Sequence, residues 1–285
     1  MYGCYASIAD IKGVLGITAT TDDTVIRKIA EAASRSIDQY CNRTFIAYTG
    51  TKVFDGSREL WIPDLLSITT LKTDDNDDAT YENTWATTDY IEYGVGIEDT
   101  LNTYPRIRLE THPNGDYNSF ASGVKKGVQI AGLWGYGDGI SATPYVADTT
   151  ITEDLTSGES AIDVTAVTNL SAGQVILIDS EQYYINSIAT LTLTVEPTVN
   201  GTTAATHSSG ATISIYQYPS AIRQTCIDLS VLLYQLRDKH GFSSEKIGDY
   251  NYTLLAGILK SIKTMPRDCA GTITTIYLYR LSCEL

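Results

Sequence analysis

Three histidines, His112, His207 and His240, stand far apart in the chain, and no H-E-x-x-H or comparable spacing sets two imidazoles on one helix face. A zinc centre is therefore not expected. Asp74, Asn76 and Asp78 imitate the opening ligands of a calcium loop. However, Ala79 stands where that loop turns on glycine, and Trp85 where it needs a bidentate glutamate, so a solvated acidic loop is the expectation. The chain has no phosphate-cradling G-x-x-x-x-G-K-[ST], no G-x-G-x-x-G after a strand and no G-x-S-x-G elbow. Carboxylates are plentiful, yet nothing in their spacing selects two of them as an acid and base pair. No catalytic residue, cofactor or metal is expected, and the chain reads as a non-enzyme.

Charge and composition narrow the partners. The formal net charge of −14 repels phosphate backbones, so sequence-specific nucleic-acid binding is not expected, while a channel through which DNA slides without sticking is compatible with it. Tyr outnumbers Phe 20 to 4. Two readings stay open: surfaces that become buried when partners meet, or Tyr standing in for Phe inside β-rich cores. The five cysteines, Cys4, Cys41, Cys226, Cys269 and Cys283, form no C-x-x-C pair and are odd in number. Buried reduced thiols, and so folding in a cytosol, are the expectation. The N-terminus has no basic start followed by an apolar run, so no signal peptide is expected. No apolar run reaches the ~20 residues needed to cross a bilayer, so no membrane partner is expected.

These residues must be positioned by two helical ends and a β-rich middle. Ser7 can cap a short helix through Leu15 that Gly16 ends. A second helix follows, with Thr20 or Thr21 as N-cap and Asp22 and Asp23 in the first turn. Ile26, Ile29, Ala30, Ala33, Ile37, Tyr40 and Cys41 recur at steps of three and four and make its apolar stripe. Short β-type runs come next at Phe45–Tyr48, Thr51–Phe54 and Glu59–Ile62, with Asp55-Gly56 as a hairpin signal. Pro63 and Asp64 break the pattern before a strand at Leu65–Lys72, and further strands are expected at Tyr90–Tyr93, Arg106–Glu110 and Gly127–Leu133.

Residues 145–218 form a compositional island, rich in Thr, Ser, Ala, Val and Ile and poor in Lys and Arg. Strand candidates at Ser160–Ala166, Gln174–Ile178, Tyr183–Ile188, Thr190–Val195 and Ala211–Tyr216 suggest a small barrel or sandwich. Pro219 opens a helix whose stripe is Ile222, Cys226, Leu229, Leu233 and Leu236, with Gly241 as its stop. Another helix is expected over Leu254–Lys263, then a β-prone run from Thr272 to Tyr279. The two amphipathic helices, one near each chain end, are each the obvious partner for the other's apolar stripe. The predicted fold is α+β: a helical domain with β hairpins from residues 1–144 and 219–285, and an all-β domain inserted at 145–218.

The stretch Ala33, Ile37, Asp38, Tyr40, Arg43 and Phe45 fits a pattern A-x-x-x-I-D-x-Y-x-x-R-x-F that ends a long helix, preceded by Ala9-Asp10-Ile11-Lys12 and Asp22-Asp23-Thr24-Val25-Ile26. Later, the helix from Pro219 is followed by Glu245-Lys246-Ile247-Gly248-Asp249-Tyr250. In this order the two blocks resemble the head-to-tail connector, or adaptor, proteins of tailed bacteriophages. The island resembles small β modules of phage structural proteins, on a hairpin from Gly173 to Tyr184 and a segment from Gly201 to Gly210. There His207 would be a loop residue that fixes a turn. The resemblance implies a virion neck protein made in the host cytoplasm, with no cofactor. It implies a homo-oligomeric ring of about twelve copies, docked on the portal at one face and on the next neck or tail protein at the other, through which DNA passes. The C-terminal run, with Thr272, Ile273, Ile276, Tyr277 and Tyr279, has little core of its own, and as a strand would pair with the portal or an adjacent subunit. The alternatives are a tail or baseplate protein whose β domain binds a host glycan, with Trp61, Trp85 and Trp134 as stacking candidates outside the island, and a carboxylate hydrolase.

Overall fold

The computed structural model describes residues 1–95, 104–237, 244–247 and 250–253. Among them are three α-helices and two six-stranded antiparallel sheets, so the class is α+β and β-rich. The helices are α1 (Ile8–Leu15), α2 (Asp23–Cys41) and α3 (Ser220–Leu236).

The first sheet contains β1 (Tyr48–Phe54), β2 (Glu59–Thr73), β3 (Asn83–Thr84), β4 (Tyr90–Gly94), β5 (Arg106–Thr111) and β6 (Val128–Trp134), in the order β1-β6-β2-β5-β4 with β3 on β2. The second contains β7 (Tyr145–Thr150), β8 (Ala161–Asp163), β9 (Val175–Ile178), β10 (Glu181–Ala189), β11 (Thr192–Glu196) and β12 (Thr212–Tyr216), in the order β7-β12-β9-β10-β11-β8. A separate hairpin pairs β13 (Ser244–Ile247) with β14 (Tyr250–Thr253).

Four local expectations need correction. Asp55-Gly56 is not the turn of a hairpin, because β6 lies between β1 and β2 and pairs with both. The Asp55 carboxylate instead accepts from Lys125 Nζ at 2.8 Å and the Lys126 amide at 2.9 Å. Gly56 sits so close to the Ala121 carbonyl that a Cβ would meet it at 1.7 Å. Pro63 and Asp64 do not end a strand. They lie at a register shift between Trp61 and Leu65, where the long β2 passes from β5 to β6, the bulged kind of position that tolerates proline. Helix α2 is capped at Asp22, not at a threonine, and the Asp22 side chain makes no capping bond. Expected strands Phe45–Tyr48 shrink to Tyr48 alone, since Phe45–Ala47 run outside the sheet though fully buried.

Two compact units emerge. One gathers Met1–Gly3, Arg43–Leu170 and Val175–Pro219; the other gathers Cys4–Asn42, Ser171–Gln174 and the described residues from Ser220 onward. The strands between residues 48 and 134 therefore group with residues 145–216, where the sequence pattern had grouped them with the helices. The reason is a buried cluster that spans both sheets, with Ala47 and Leu66 from the first half and Val175, Tyr184, Val199 and Tyr216 from the second. The first sheet has a further core of its own. Trp85 stacks on Phe120 at 4.6 Å and on Tyr117 at 4.5 Å, and Trp134 is fully buried with its indole N–H donating to the Gly50 carbonyl at 2.9 Å.

Candidate functional site

Helices α1 and α2 and the later α3 lie in one helical unit, and α2 packs on α3 there. Helix α1 begins with a capping box: the Ser7 hydroxyl accepts from the Asp10 amide at 3.1 Å, and the Asp10 carboxylate accepts from the Ser7 amide at 3.3 Å. Gly16 ends it in the left-handed conformation that glycine adopts without strain. On α2, Ile26, Ala30, Ala33, Ile37 and Cys41 are buried; Ile29 and Tyr40 are half-buried. On α3, Ile222 and Cys226 are buried, whereas Leu229, Leu233 and Leu236 are half-buried.

The buried face of α3 turns instead through Thr225, Cys226 and Ser230. A polar strip within this seam went unread in the apolar pattern. Ser34 donates to the Ala30 carbonyl at 2.7 Å, accepts from the Tyr5 amide at 2.9 Å and lies 3.5 Å from Cys226 Sγ. Its own i−4 bond satisfies the buried hydroxyl. Burial pushes the Cys226 thiol above its ordinary range, against opposing hydrogen bonds from Ser34 and Ser230, so it stays an inert packing group.

Charged clips fasten the edges of the seam. Arg223 grips both Asp10 oxygens at 2.8 Å from Nη2 and adds Nε at 3.1 Å. Lys12 meets Asp23 at 2.6 Å. Asp22 accepts from the Tyr234 hydroxyl and pairs with Arg237 at 3.4 Å, whose guanidinium lies 3.8 Å from the Tyr234 ring centre. The missing side-chain cap on α2 is thus explained: the Asp22 carboxylate faces α3. Asp38 accepts from the Tyr5 hydroxyl and pairs with Arg35 at 3.3 Å.

In the other unit, Arg43 pairs with Asp64 at 3.3 Å and lies over the Tyr136 ring at 4.8 Å, next to Phe45, which packs on the same ring at 5.2 Å. Burial pushes the Asp64 carboxyl up, opposed by the Arg43 and Lys52 charges. In the acidic loop, the Asp74 carboxylate accepts from the amides of Asp77, Asp78 and Ala79. Carboxylates of Asp74, Asp78 and Glu82 lie within 4.8 Å of one another. Glu82, unforeseen in the sequence, completes this acidic cluster in place of Asn76, whose amide oxygen accepts from the Asp78 amide. Trp85 and Trp134 are core residues; Trp61 is 58% exposed on the first sheet, with Arg108 between it and Tyr93. The His207 ring is buried, bonded at Nδ1 to Asp179 and at Nε2 to Glu181. His240, the Leu254–Lys263 helix and the tail residues Thr272, Ile273, Ile276, Tyr277 and Tyr279 lie outside the described residues. No described helix is long and apolar enough to cross a membrane.

Residues 5–84, which contain α1, α2 and the start of the first sheet, match the family of phage gp6-like head-tail connector proteins. This bears out the resemblance carried by the first block, a family of structural phage proteins. No curated protein and no solved structure matches.

Proposed function

We propose that this chain, matched over residues 5–84 to phage head-tail connector proteins, is a virion neck protein that forms a ring between portal and tail. The observation that carries the reading is the coincidence of that match with the helical closure. The matched α1 and α2 pack with α3, which arrives from the far end of the chain. Packing α1 and α2 against α3 in this way gives the helical unit a fixed surface to present to its neighbours, as an obligate ring requires.

In this reading, about twelve copies surround a channel that continues the portal's, and the net charge of −14 lets DNA slide without adhering. One face meets the portal, with the tail from Thr272 to Tyr279 as the docking strand, and the other meets the next neck or tail protein. Residues 145–218 are an inserted β module that decorates the ring, and the packing residues Ile26, Ile29, Ala33, Ile37, Tyr40, Ile222, Cys226, Leu229, Leu233 and Leu236 hold the helical body together. The chain is assembled in the host cytoplasm and ends in the virion.

The test is native mass measurement of the pure protein, alone and mixed with portal rings. A discrete multimer on the portal supports the neck assignment. A protein that stays unbound at micromolar portal overturns it.

A further inference from the structure

A row of three side chains crosses one face of the first sheet. Trp61 of β2 stands opposite Arg108 of β5, and Arg108 opposite Tyr93 of β4. Their neighbours Leu60, Ile62 and Leu109 belong to the core, so strand alternation sets the row on the other face. The Arg108 guanidinium lies 4.1 Å from the Tyr93 ring centre and 5.6 Å from that of Trp61. Ring and guanidinium thus alternate across three strands. The row ends on Trp61, because β6 joins β2 only from Leu65 onward. That end is open: Trp61 is 58% exposed, whereas the other two tryptophans of the chain, Trp85 and Trp134, are buried.

The row beside it carries charge. Glu59 and Glu110 stand directly opposite each other across β2 and β5, a placing of like charges that destabilises a sheet. Arg108 Nη1 bridges them, at 3.2 Å from Glu59 Oε1 and 3.4 Å from Glu110 Oε1. One guanidinium therefore answers two carboxylates, whose side chains stay 42% and 37% exposed. The Tyr93 hydroxyl donates to Glu110 at 3.3 Å and ties the far ring to the same group. An indole with an electron-rich face is thus presented to water beside two accessible carboxylates. Cross-strand contacts hold these groups in place before any partner arrives, which lowers the ordering cost of binding.

We propose that Trp61, with Glu59 and Glu110, receives an arginine side chain from a basic segment of a partner protein. The incoming guanidinium stacks on the open indole as the next member of the Tyr93–Arg108–Trp61 series. It also supplies the second positive charge that the two carboxylates lack. Its plane matches both the ring and a carboxylate, which the compact, strongly hydrated ammonium of lysine does not. Charge decides among the other occupants. The carboxylates repel a phosphate backbone, and a second copy of this chain, with 34 acidic residues against 20 basic ones, is repelled as a whole. Trp and Arg are also the side chains in which interface binding energy concentrates. The site is a property of this sheet face and stands apart from the neck assignment, so it is tested without portal.

The test is NMR of the three indole N–H groups in the full chain, titrated with the peptide acetyl-Gly-Arg-Gly-amide; the Trp61→Phe variant assigns the Trp61 signal by its loss. The expected result is a Trp61 signal that shifts and saturates while those of Trp85 and Trp134 hold still. The matched Gly-Lys-Gly peptide should bind about fivefold more weakly. Glu59→Gln and Glu110→Gln should each weaken the arginine peptide about threefold. Should either variant lose its fold, the wild type decides: its affinity for the arginine peptide must fall as salt is raised. Four results overturn the proposal: a Trp61 signal that does not move, equal affinity for the arginine and lysine peptides, a Trp61 response to chitotriose alone, which makes the face a glycan site, or a Trp61 signal that shifts with protein concentration in the absence of peptide, which makes a second copy the occupant.

Discussion

Asp10 shows how much one carboxylate does in this protein. It completes the capping box of α1 and takes the bidentate grip of Arg223 from α3. Burial works to raise its pKa, but the hydrogen bonds from Ser7 and Arg223 and the Arg223 charge outweigh it, and the group is held below the ordinary carboxylate range. A lowered folded value means stability that is present above about pH 4, the unfolded carboxylate range, and lost as pH falls through the folded value. Asp10→Asn should therefore cost about 1 kcal/mol at neutral pH, with the gap to wild type narrowing as pH falls below about 4; urea unfolding followed by helical circular dichroism measures both. Within α2, Ile37 is 1% exposed and Ile29 only half-buried. Ile37→Ala should cost about 2–5 kcal/mol and Ile29→Ala less than half as much, a contrast the same unfolding curves resolve. Some of the tyrosines serve the core reading at this scale. Tyr5, Tyr183 and Tyr216 are buried and use their hydroxyls inside the core, on Asp38, Glu181 and the Phe45 carbonyl. Asp38 and Phe45 stand far in sequence from Tyr5 and Tyr216, so no local pattern could announce those two partners.

At the scale of elements, legibility followed the range of the determining contacts. Helices α1 and α2 came out nearly to the residue because their signals, a serine cap, a terminal glycine and a three-four apolar stripe, are local. The Asp55-Gly56 hairpin failed because its rival was distant: β6 displaces β2 as the neighbour of β1, and turn chemistry alone cannot see that competitor. Strand β7 was missed since Tyr145–Thr150 alternates weakly, and its pairing with β12 supplies what its own pattern lacks. The central place of β6 can be tested through two glycines that face each other across the β1–β6 pair, Gly50 and Gly132. A Cβ on Gly132 would lie 2.2 Å from the Ser67 carbonyl oxygen of β2, whereas one on Gly50 meets nothing closer than 3.8 Å. Gly132→Ala should destabilise by about 3 kcal/mol or prevent folding, and Gly50→Ala should change stability by no more than about 0.5 kcal/mol. Thermal unfolding followed by tryptophan fluorescence, with Trp134 in this sheet, reads the difference.

For the whole molecule, the helical closure is a long-range feature: Ser34 and Cys226, 192 residues apart in sequence, lie side by side. The sequence revealed it through two stripes that each lacked a local partner, and the grouping of the first sheet with the second stayed hidden because the cluster of Ala47, Leu66, Tyr184 and Tyr216 draws on residues with no shared periodicity. Every described clip of the helical unit, from Asp10–Arg223 to Asp22–Arg237, is complete by residue 237. Removing residues 266–285 therefore takes nothing from these contacts. The truncated chain should keep the wild-type helical circular dichroism and melt within a few degrees of the full chain, yet fail to join portal rings in the native mass measurement, because the Thr272–Tyr279 run proposed to add a strand to the portal or a neighbour is gone. Loss of folding would mean that the tail belongs to its own subunit's core, and undiminished joining would move the docking function to another surface.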